Sequence, residues 1–221
     1  MSRPVPRIAL IHALSHSVDP INAALASEWP EATLMNLLDD SLSADLASAG
    51  RGLDAAMHRR FQDLAAYAVG TGAQGILFTC SAFGACIEAV AQRYPQIPVL
   101  KPNEAMIADA AQAAGPVGLV ATFGPTLESM PAEFPAGVEV RYALAAGALD
   151  ALNRGDVGRH DALIAAQARQ LAADGCGTIA LAQFSMARAQ DACEQAGGRR
   201  VLTTVHSAVQ ALKRRLSSPA S

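Results

Sequence analysis

Short apolar runs alternate with helical patterns along the whole chain of 221 residues. The runs typical of strands lie at residues 7–12, 32–36, 75–80, 97–100, 117–121, 137–141, 177–182 and 200–203. The helical patterns lie between them, at residues 18–28, 53–70, 84–94, 103–114, 125–133, 156–173, 186–196 and 205–216. Because sustained alternation is typical of parallel sheets joined by right-handed crossovers, the pattern predicts the α/β class.

Two segments about a hundred residues apart share one layout. In the first, residues 74–84, an apolar run stops at Cys80 and a helical pattern follows. In the second, residues 178–186, Gln183 stands at the corresponding place. The repeat predicts two pseudo-symmetric lobes, each a parallel sheet flanked by helices, with the active site in the cleft between them. The alternative is that all βα units look alike.

Charge and composition exclude several classes of protein. A net charge of −3 with scattered basic residues lacks the footprint of a nucleic-acid binder. No apolar stretch approaches the ~18 residues of a membrane span, and the first strand is too short for a secretory segment, so we expect a cytoplasmic protein. The four cysteines form no CxxC pair and no metal-ligand spacing, which predicts neither a metal site nor disulfides. We expect three of them, Cys86, Cys176 and Cys193, to pack as small apolar groups.

Cys80 is the leading candidate for a reactive group. It ends a predicted strand, between the hydroxyls of Thr79 and Ser81, and a helix follows. Ligands of parallel sheets collect at the carboxyl ends of strands, and the amino end of a helix favours a thiolate. The alternative is an inert cysteine buried in the core.

At these residues the chain resembles the aspartate/glutamate racemase superfamily, which includes hydantoin racemases, maleate isomerases and arylmalonate decarboxylases. The resemblance rests on Cys80-Ser81-Ala82 after a strand, on residues 118–126, similar to the family's Gly-Thr-x-x-Thr loop, and on residues 181–186, similar to its Leu-Gly-Cys-Thr segment. It covers about residues 7–216. It implies a first lobe of residues 1–100 with 205–221 and a second lobe of residues 101–204.

The resemblance also implies a chemistry. Racemases of this family use two thiols, one from each lobe, to move a proton next to a carboxylate, without metal or organic cofactor. This chain supplies Cys80, and Gln183 replaces the second thiol. An amide does not transfer protons at useful rates, so the chain departs from the symmetrical two-base mechanism.

Further site residues follow from the resemblance. Those expected to bind a small carboxylate substrate are Ser15, Ser81, Ala82, Thr122, Thr126 and Ser185. The competing role of such hydroxyls is helix capping. Two histidines, His16 in the first βα loop and His206 at the start of the last helix, are either proton shuttles or solvated and structural groups. Asp39 and Asp40 either orient a substrate or form a turn.

Three functions stay open on this basis. The first is a cofactor-independent isomerase or racemase of a small carboxylate, with Cys80 as base or nucleophile and Gln183 as hydrogen-bond donor. The second is a lyase that decarboxylates a substituted malonate, with one thiol as the proton donor. The third is a ligand-binding member without turnover. A homo-oligomer is the default expectation for a compact α/β enzyme.

Overall fold

The computed structural model describes residues 5–50 and 52–217. Eight strands form two four-stranded parallel sheets, with strand orders β2-β1-β3-β4 and β6-β5-β7-β8, so the predicted α/β class is confirmed. The strands are β1 Arg7–His12, β2 Thr33–Leu38, β3 Gly75–Phe78, β4 Val99–Leu100, β5 Val117–Ala121, β6 Val140–Leu144, β7 Thr178–Leu181 and β8 Arg200–Thr203.

Helices connect the strands of both sheets. Their bounds are α1 Val18–Glu28, α2 Ser41–Ala49, α3 Ala55–Gly70, α4 Gly84–Arg93, α5 Glu104–Ala111, α6 Gly124–Ser129, α7 Ala148–Asn153, α8 Val157–Ala173, α9 Gln190–Gly197 and α10 Thr204–Ser217. Short 3₁₀ helices occupy Ser15–Ser17, Ser81–Phe83, Met130–Glu133 and Phe184–Ala189. No helix in the described part of the chain is long and apolar enough to cross a membrane.

The chain divides into two compact units, each built on one sheet. The first comprises the described residues up to Pro102 together with those from Val205 onward, and the second comprises Asn103–Thr204. In the first unit, β1 is an inner strand whose residues 8–11 are almost completely buried. In the second unit, β5 has the same place and is buried along its whole length. Continuous apolar strands are what a sheet covered on both faces requires.

Several elements differ from the sequence prediction, and three of them illustrate why. The helices α2 and α7 were not predicted, because both are short and contain residues such as serine and aspartate in α2 and aspartate and asparagine in α7, which also favour turns. Strand β6 begins at Val140, later than the predicted 137, because Gly137 has a φ of 92° and belongs to the preceding turn. None of these differences changes the predicted α/β class.

Strand register determines which residues share an edge. In the first unit, Ile11 on β1 lies beside Phe78 on β3, so the residues that follow these strands leave the same edge of the sheet. In the second unit, Val120 on β5 lies beside Leu181 on β7, so Thr122 and Gln183 also leave a common edge. Each unit therefore gathers its polar strand-end residues at the carboxyl edge of its sheet, where ligands of parallel sheets bind.

Candidate active site

Cys80 lies just beyond the carboxyl end of β3, where extended backbone leads into the 3₁₀ helix at Ser81–Phe83. The backbone of Ala82 and the side chain of Ser43 are the polar groups that act on its sulfur, and both lower the pKa of the thiol. Cys80 keeps part of its surface exposed, whereas the other three cysteines are buried, as the sequence predicted. Of the four cysteines, Cys80 is the one that keeps exposed surface.

The surroundings of the Cys80 sulfur favour the protonated thiol. Burial raises the pKa of Cys80 to about 11, and the polar groups of Ala82 and Ser43 only partly oppose this effect. The sulfur borders a recess that is too small for a water molecule, so a thiolate there would lose solvation. At neutral pH the resting group is therefore a thiol. The lining of the recess, apart from Cys80, consists of Ile11, His12, Ala13, Leu42, Phe61 and Phe78.

A buried hydrogen-bond network supports the segment that carries Cys80. The Nδ1 atom of His12 lies 2.9 Å from the hydroxyl of Thr79, and its Nε2 atom lies 2.9 Å from Oδ1 of Asn36. The Asn36 oxygen accepts the Nε2 proton, which leaves Nδ1 as the acceptor for the Thr79 hydroxyl. The backbone N–H of Thr79 also donates to Ile11 O at 3.0 Å. Thr79, the residue before Cys80, is thus hydrogen-bonded to β1 through both its side chain and its backbone.

The His12 imidazole is completely buried, and this burial lowers its pKa, although the bond to Asn36 acts in the opposite direction. Since the unfolded chain takes up a proton near pH 6.5 and the folded chain does so only at lower pH, the stabilising contribution of neutral His12 is complete above pH 6.5. It is lost as the pH falls from there toward the folded-state pKa. We expect the free energy of unfolding to fall by up to about 1.4 kcal/mol per pH unit in that range.

Urea unfolding at pH 7.5 and 5.5 measures this loss. The His12→Gln variant keeps an amide that can donate and accept, but does not titrate, so its unfolding free energy should change less between the two pH values. The matched control is His58→Gln on α3, where the side chain is partly exposed. That variant should retain the full pH dependence of the wild type. An equal loss in wild type and His12→Gln would contradict the assignment.

Gln183 follows β7, and Thr122 holds its amide. The backbone N–H of Thr122 donates to Oε1 of Gln183 at 2.6 Å, and the Thr122 hydroxyl donates to the same atom at 3.0 Å. Because a backbone N–H can only donate, the amide has one orientation, with its NH₂ group turned away from Thr122. Among the described residues this NH₂ group makes no hydrogen bond. Gln183 therefore offers two N–H donors at the carboxyl edge of the second sheet.

Most of the hydroxyls predicted to bind substrate are buried. Ser81 and Ser185 are each 2% exposed, Thr126 is fully buried, and Ser15 is exposed in the 3₁₀ helix at Ser15–Ser17. The Ser185 hydroxyl has no hydrogen-bond partner among the described residues. Such an unpaired buried hydroxyl is costly unless a ligand or water satisfies it.

Helix capping, the competing role of these hydroxyls, is not what the structure shows. The N-cap positions are occupied by Cys80 before the 3₁₀ helix at Ser81–Phe83, by Phe123 before α6 and by Gln183 before the 3₁₀ helix at Phe184–Ala189. None of the three makes a side-chain capping bond. Ser81, Thr126 and Ser185 lie inside the first turns instead.

Two other candidates have structural partners. Asp39 accepts hydrogen bonds from the Ser41 hydroxyl and the Arg60 guanidinium, both at 2.6 Å. Burial raises the pKa of Asp39, but these bonds outweigh it and the net pKa is below its ordinary value. The carboxylate of Asp39 is thus bonded within the turn to Ser41 and forms an ion pair with Arg60. Asp40 is the N-cap residue of α2 and makes no side-chain capping bond.

His206 hydrogen-bonds to Glu28, the last residue of α1. Since α1 runs from the carboxyl edge of the first sheet back to its amino edge, His206 lies by the amino edge, away from Cys80. His16 is partly buried in the first βα loop. In the described part of the chain, no group of three or more His, Cys, Asp or Glu side chains is placed to hold a metal ion.

Two residues of this site were not predicted from the sequence. His12 could have been found, because it is the last residue of an inner strand and so lies at the same edge as Cys80. Ser43 gives no sequence signal, since it belongs to the unpredicted helix α2. Its position depends on how that helix packs against the first sheet.

The family model described as Asp/Glu/hydantoin racemase matches residues 15–212 of the sequence. The chain belongs to this racemase family. A sequence comparison with curated proteins gives no significant match. Solved structures do show the fold, and several are racemases.

Three solved structures illustrate the range of this fold. Glutamate racemase isoform RacE1 from Bacillus anthracis is 12% identical, with a TM-score of 0.74, over 96% of this chain and 81% of that one. Allantoin racemase from Pseudomonas fluorescens is 18% identical, with a TM-score of 0.72, over 97% and 93%. The Gly74Cys mutant of arylmalonate decarboxylase is 19% identical, with a TM-score of 0.63, over 98% and 95%. At these identities the likeness concerns the fold alone.

Proposed function

We propose that this racemase-family protein is a cofactor-independent isomerase or racemase of a small carboxylate, with Cys80 as the catalytic thiol and Gln183 as a donor to the same substrate. The observation that supports this most strongly is the Cys80 thiol itself. Cys80 is a partly exposed residue at the carboxyl edge of a parallel sheet, and polar groups of Ala82 and Ser43 act to lower the pKa of its thiol. A core cysteine without function needs neither the exposure nor the polar neighbours.

Proton transfer is the first route open to a single thiol. The Cys80 thiolate removes the hydrogen next to the carboxylate as a proton, and the electron pair left on carbon moves into the carboxylate to form an enediolate. The new S–H group, or a water on the opposite face, then returns a proton to carbon; in the second case the hydroxide that is left takes the proton from sulfur, so water and the thiolate are both regenerated. Protonation of carbon on the opposite face inverts its configuration, and protonation by the sulfur restores the original configuration.

Addition to a double bond is the second route. The thiolate sulfur bonds to one alkene carbon while the π electrons move onto the neighbouring carbon, next to the carboxylate. The C–C bond is then single and rotates. When the electron pair returns and the C–S bond breaks, the alkene has the other geometry and Cys80 is a thiolate again. This route needs one nucleophile and no second thiol.

Both routes build negative charge on the substrate carboxylate, which the site must stabilise. The Gln183 NH₂ group and the unpaired hydroxyl of Ser185 supply donors from neighbouring positions of the second unit. In the first unit the buried Ser81 follows Cys80 directly. We assign these groups, with Thr126 and the exposed Ser15, to carboxylate binding. Thr122 acts through Gln183, because its hydroxyl proton is directed at the Gln183 amide oxygen.

A lyase is the second candidate, and one observation favours it. Burial raises the pKa of Cys80 to about 11, so the resting group is a proton donor and not a base. A malonate that loses CO₂ leaves its electron pair on carbon, and a resting thiol can protonate that carbon without being deprotonated first.

The pH dependence of turnover separates the two candidates. An isomerase or racemase needs the Cys80 thiolate, so its kcat/KM should rise about tenfold per pH unit from pH 7 toward 10. A lyase needs the thiol and should have a flat profile over the same range. Steady-state rates on racemisable acids, alkene diacids and substituted malonates measure both profiles.

Heavy water provides a second readout for the same assays. Racemisation exchanges the α-hydrogen for deuterium without releasing CO₂, and decarboxylation releases CO₂ and places one deuterium on carbon. Thiol addition changes alkene geometry without obligatory exchange. A protein that binds these acids but produces no exchange, no CO₂ and no isomer would contradict both catalytic assignments and identify a ligand-binding member.

A further inference from the structure

Helix α2 forms one wall of the recess that Cys80 borders. Its residue Leu42 is only 1% exposed and lines the recess together with His12 and Phe61. The space that these side chains leave is too small for a water molecule. Cys80 keeps some exposed surface, but a substrate that reacts at its sulfur needs more room than the recess offers. Movement of α2 is a way to provide that room.

The apolar packing of α2 against the first unit is limited. Among the described side chains of this helix, Leu42 and Leu46 are buried, whereas the described alanines are exposed. Ser43 adds a hydrogen bond from its hydroxyl to the carbonyl oxygen of Ala13 at 2.8 Å. Segments with few buried apolar contacts open at a lower free energy than the core. The polar contacts of α2 therefore have a large share in keeping it in place.

Polar contacts at the start of α2 converge on Arg60, which belongs to α3. Its Nη1 atom donates to Oδ2 of Asp45 at 2.6 Å. Its Nη2 atom donates to Oδ2 of Asp39 at 2.6 Å and to the Ser41 hydroxyl oxygen at 2.5 Å. Asp39 lies in the turn before α2, and Ser41 and Asp45 belong to the first turns of the helix. One guanidinium thus connects both the turn and the helix to α3.

We propose that Arg60 holds α2 in a closed position over the Cys80 recess, and that release of its ion pairs with Asp39 and Asp45 lets the substrate reach the sulfur. When these pairs break, α2 moves outward and takes Leu42 out of the recess. All three charged side chains are partly exposed, so water and salt compete for them. The contacts that hold the helix are therefore ones that can open and close repeatedly.

The inference rests on the proposed role of Cys80, but it can be tested without a substrate. In alkylation by iodoacetamide, the thiolate sulfur forms a C–S bond and iodide leaves, so the rate reports the thiolate fraction and the access of the reagent. We expect Arg60→Met to raise the alkylation rate of Cys80 about fivefold, by the same factor at each pH between 7 and 9. Loss of a positive charge can only raise the pKa of a nearby thiol and slow the reaction, so an acceleration reports access.

Salt provides a second readout. An increase in NaCl from about 0.05 to about 0.5 M weakens exposed ion pairs, so it should accelerate alkylation about twofold in wild type and leave the rate of Arg60→Met unchanged. Asp45→Asn removes one ion pair at an exposed position and should accelerate the reaction by a smaller factor than Arg60→Met. Labelled peptides identify Cys80 as the alkylated residue, and circular dichroism verifies folding.

Two further variants give the measurement its controls. Arg93→Met deletes an exposed arginine at the end of α4 in the same unit and should leave the rate unchanged. Leu42→Ala removes the side chain with which α2 lines the recess, so it should accelerate alkylation even with Arg60 in place.

The outcomes are distinct from those of the turnover assays. An unchanged rate in Arg60→Met and Asp45→Asn would overturn the inference, whatever the result for Leu42→Ala, because packing alone would then close the recess. An equal acceleration in Arg93→Met would also overturn it, since general loosening would be the cause. Acceleration in Arg60→Met but not in Arg93→Met, together with loss of the salt effect, supports the inference even if no substrate turns over, in which case only the proposed function fails.

Discussion

Replacing Cys80 with serine is expected to lower turnover of the carboxylate substrate by at least about 100-fold. The serine hydroxyl is a far weaker acid than a thiol and a poor leaving group from carbon, so it serves neither the proton-transfer route nor the addition route. The two side chains have nearly the same shape, and the Ala82 N–H can bond to either. The loss should therefore appear in kcat, with the protein folded and the affinity for a carboxylate ligand changed only a few-fold.

The matched control is Cys86→Ala on α4, in the same unit. The Cys86 thiol is fully buried, and burial raises its pKa to about 12, so it is closed to substrate. Its removal should lower stability slightly and leave turnover per folded molecule unchanged. Rates near wild type in Cys80→Ser would exclude all thiol mechanisms, and equal losses in both variants would point to a general effect on folding.

The α/β class and the approximate positions of the buried strands could be predicted from the sequence, because the physical signal is strong there. Buried parallel strands such as β1 and β5 are continuous apolar runs between turn residues, and short connections leave few topologies. The exposed strand β6 has no such run, which is why its start was misplaced. Helix α2 buries few apolar residues, so its pattern is too weak to predict a helix.

Only part of the candidate site could be predicted from the sequence. Cys80 and Gln183 follow apolar strands, so their placement at a carboxyl edge followed from topology. The environment of the thiol did not, because the pKa of Cys80 depends on a recess formed by residues distant in sequence, such as Leu42 and Phe61. The amino end of a helix favours a low thiol pKa, and here desolvation by those neighbours outweighs that effect. Contacts of this kind are set by packing and leave no local pattern.

Gln183→Glu is expected to lower kcat/KM by about 100-fold on any carboxylate substrate. The glutamate keeps the acceptor that Thr122 holds at 2.6 and 3.0 Å, so the side chain retains its place. It replaces the NH₂ group with a second carboxylate oxygen, and the two Thr122 donors favour the ionised form. The substrate then loses a charge-assisted hydrogen bond of about 1.5–3 kcal/mol and meets a negative charge.

Thr122→Val is the control that distinguishes loss of the Gln183 NH₂ donor from loss of the Thr122 contact that holds Gln183 in place. It removes the hydroxyl bond to Gln183 and keeps the backbone N–H bond, so the amide orientation survives and the loss should be under about tenfold. Steady-state kinetics and ligand titration measure both variants. Under the proposed role, the amide donates to the carboxylate of bound substrate as well as to the enediolate. Gln183→Glu should then weaken binding as well as catalysis, unlike Cys80→Ser. Unchanged affinity and rate in Gln183→Glu would show that this amide does not touch the substrate.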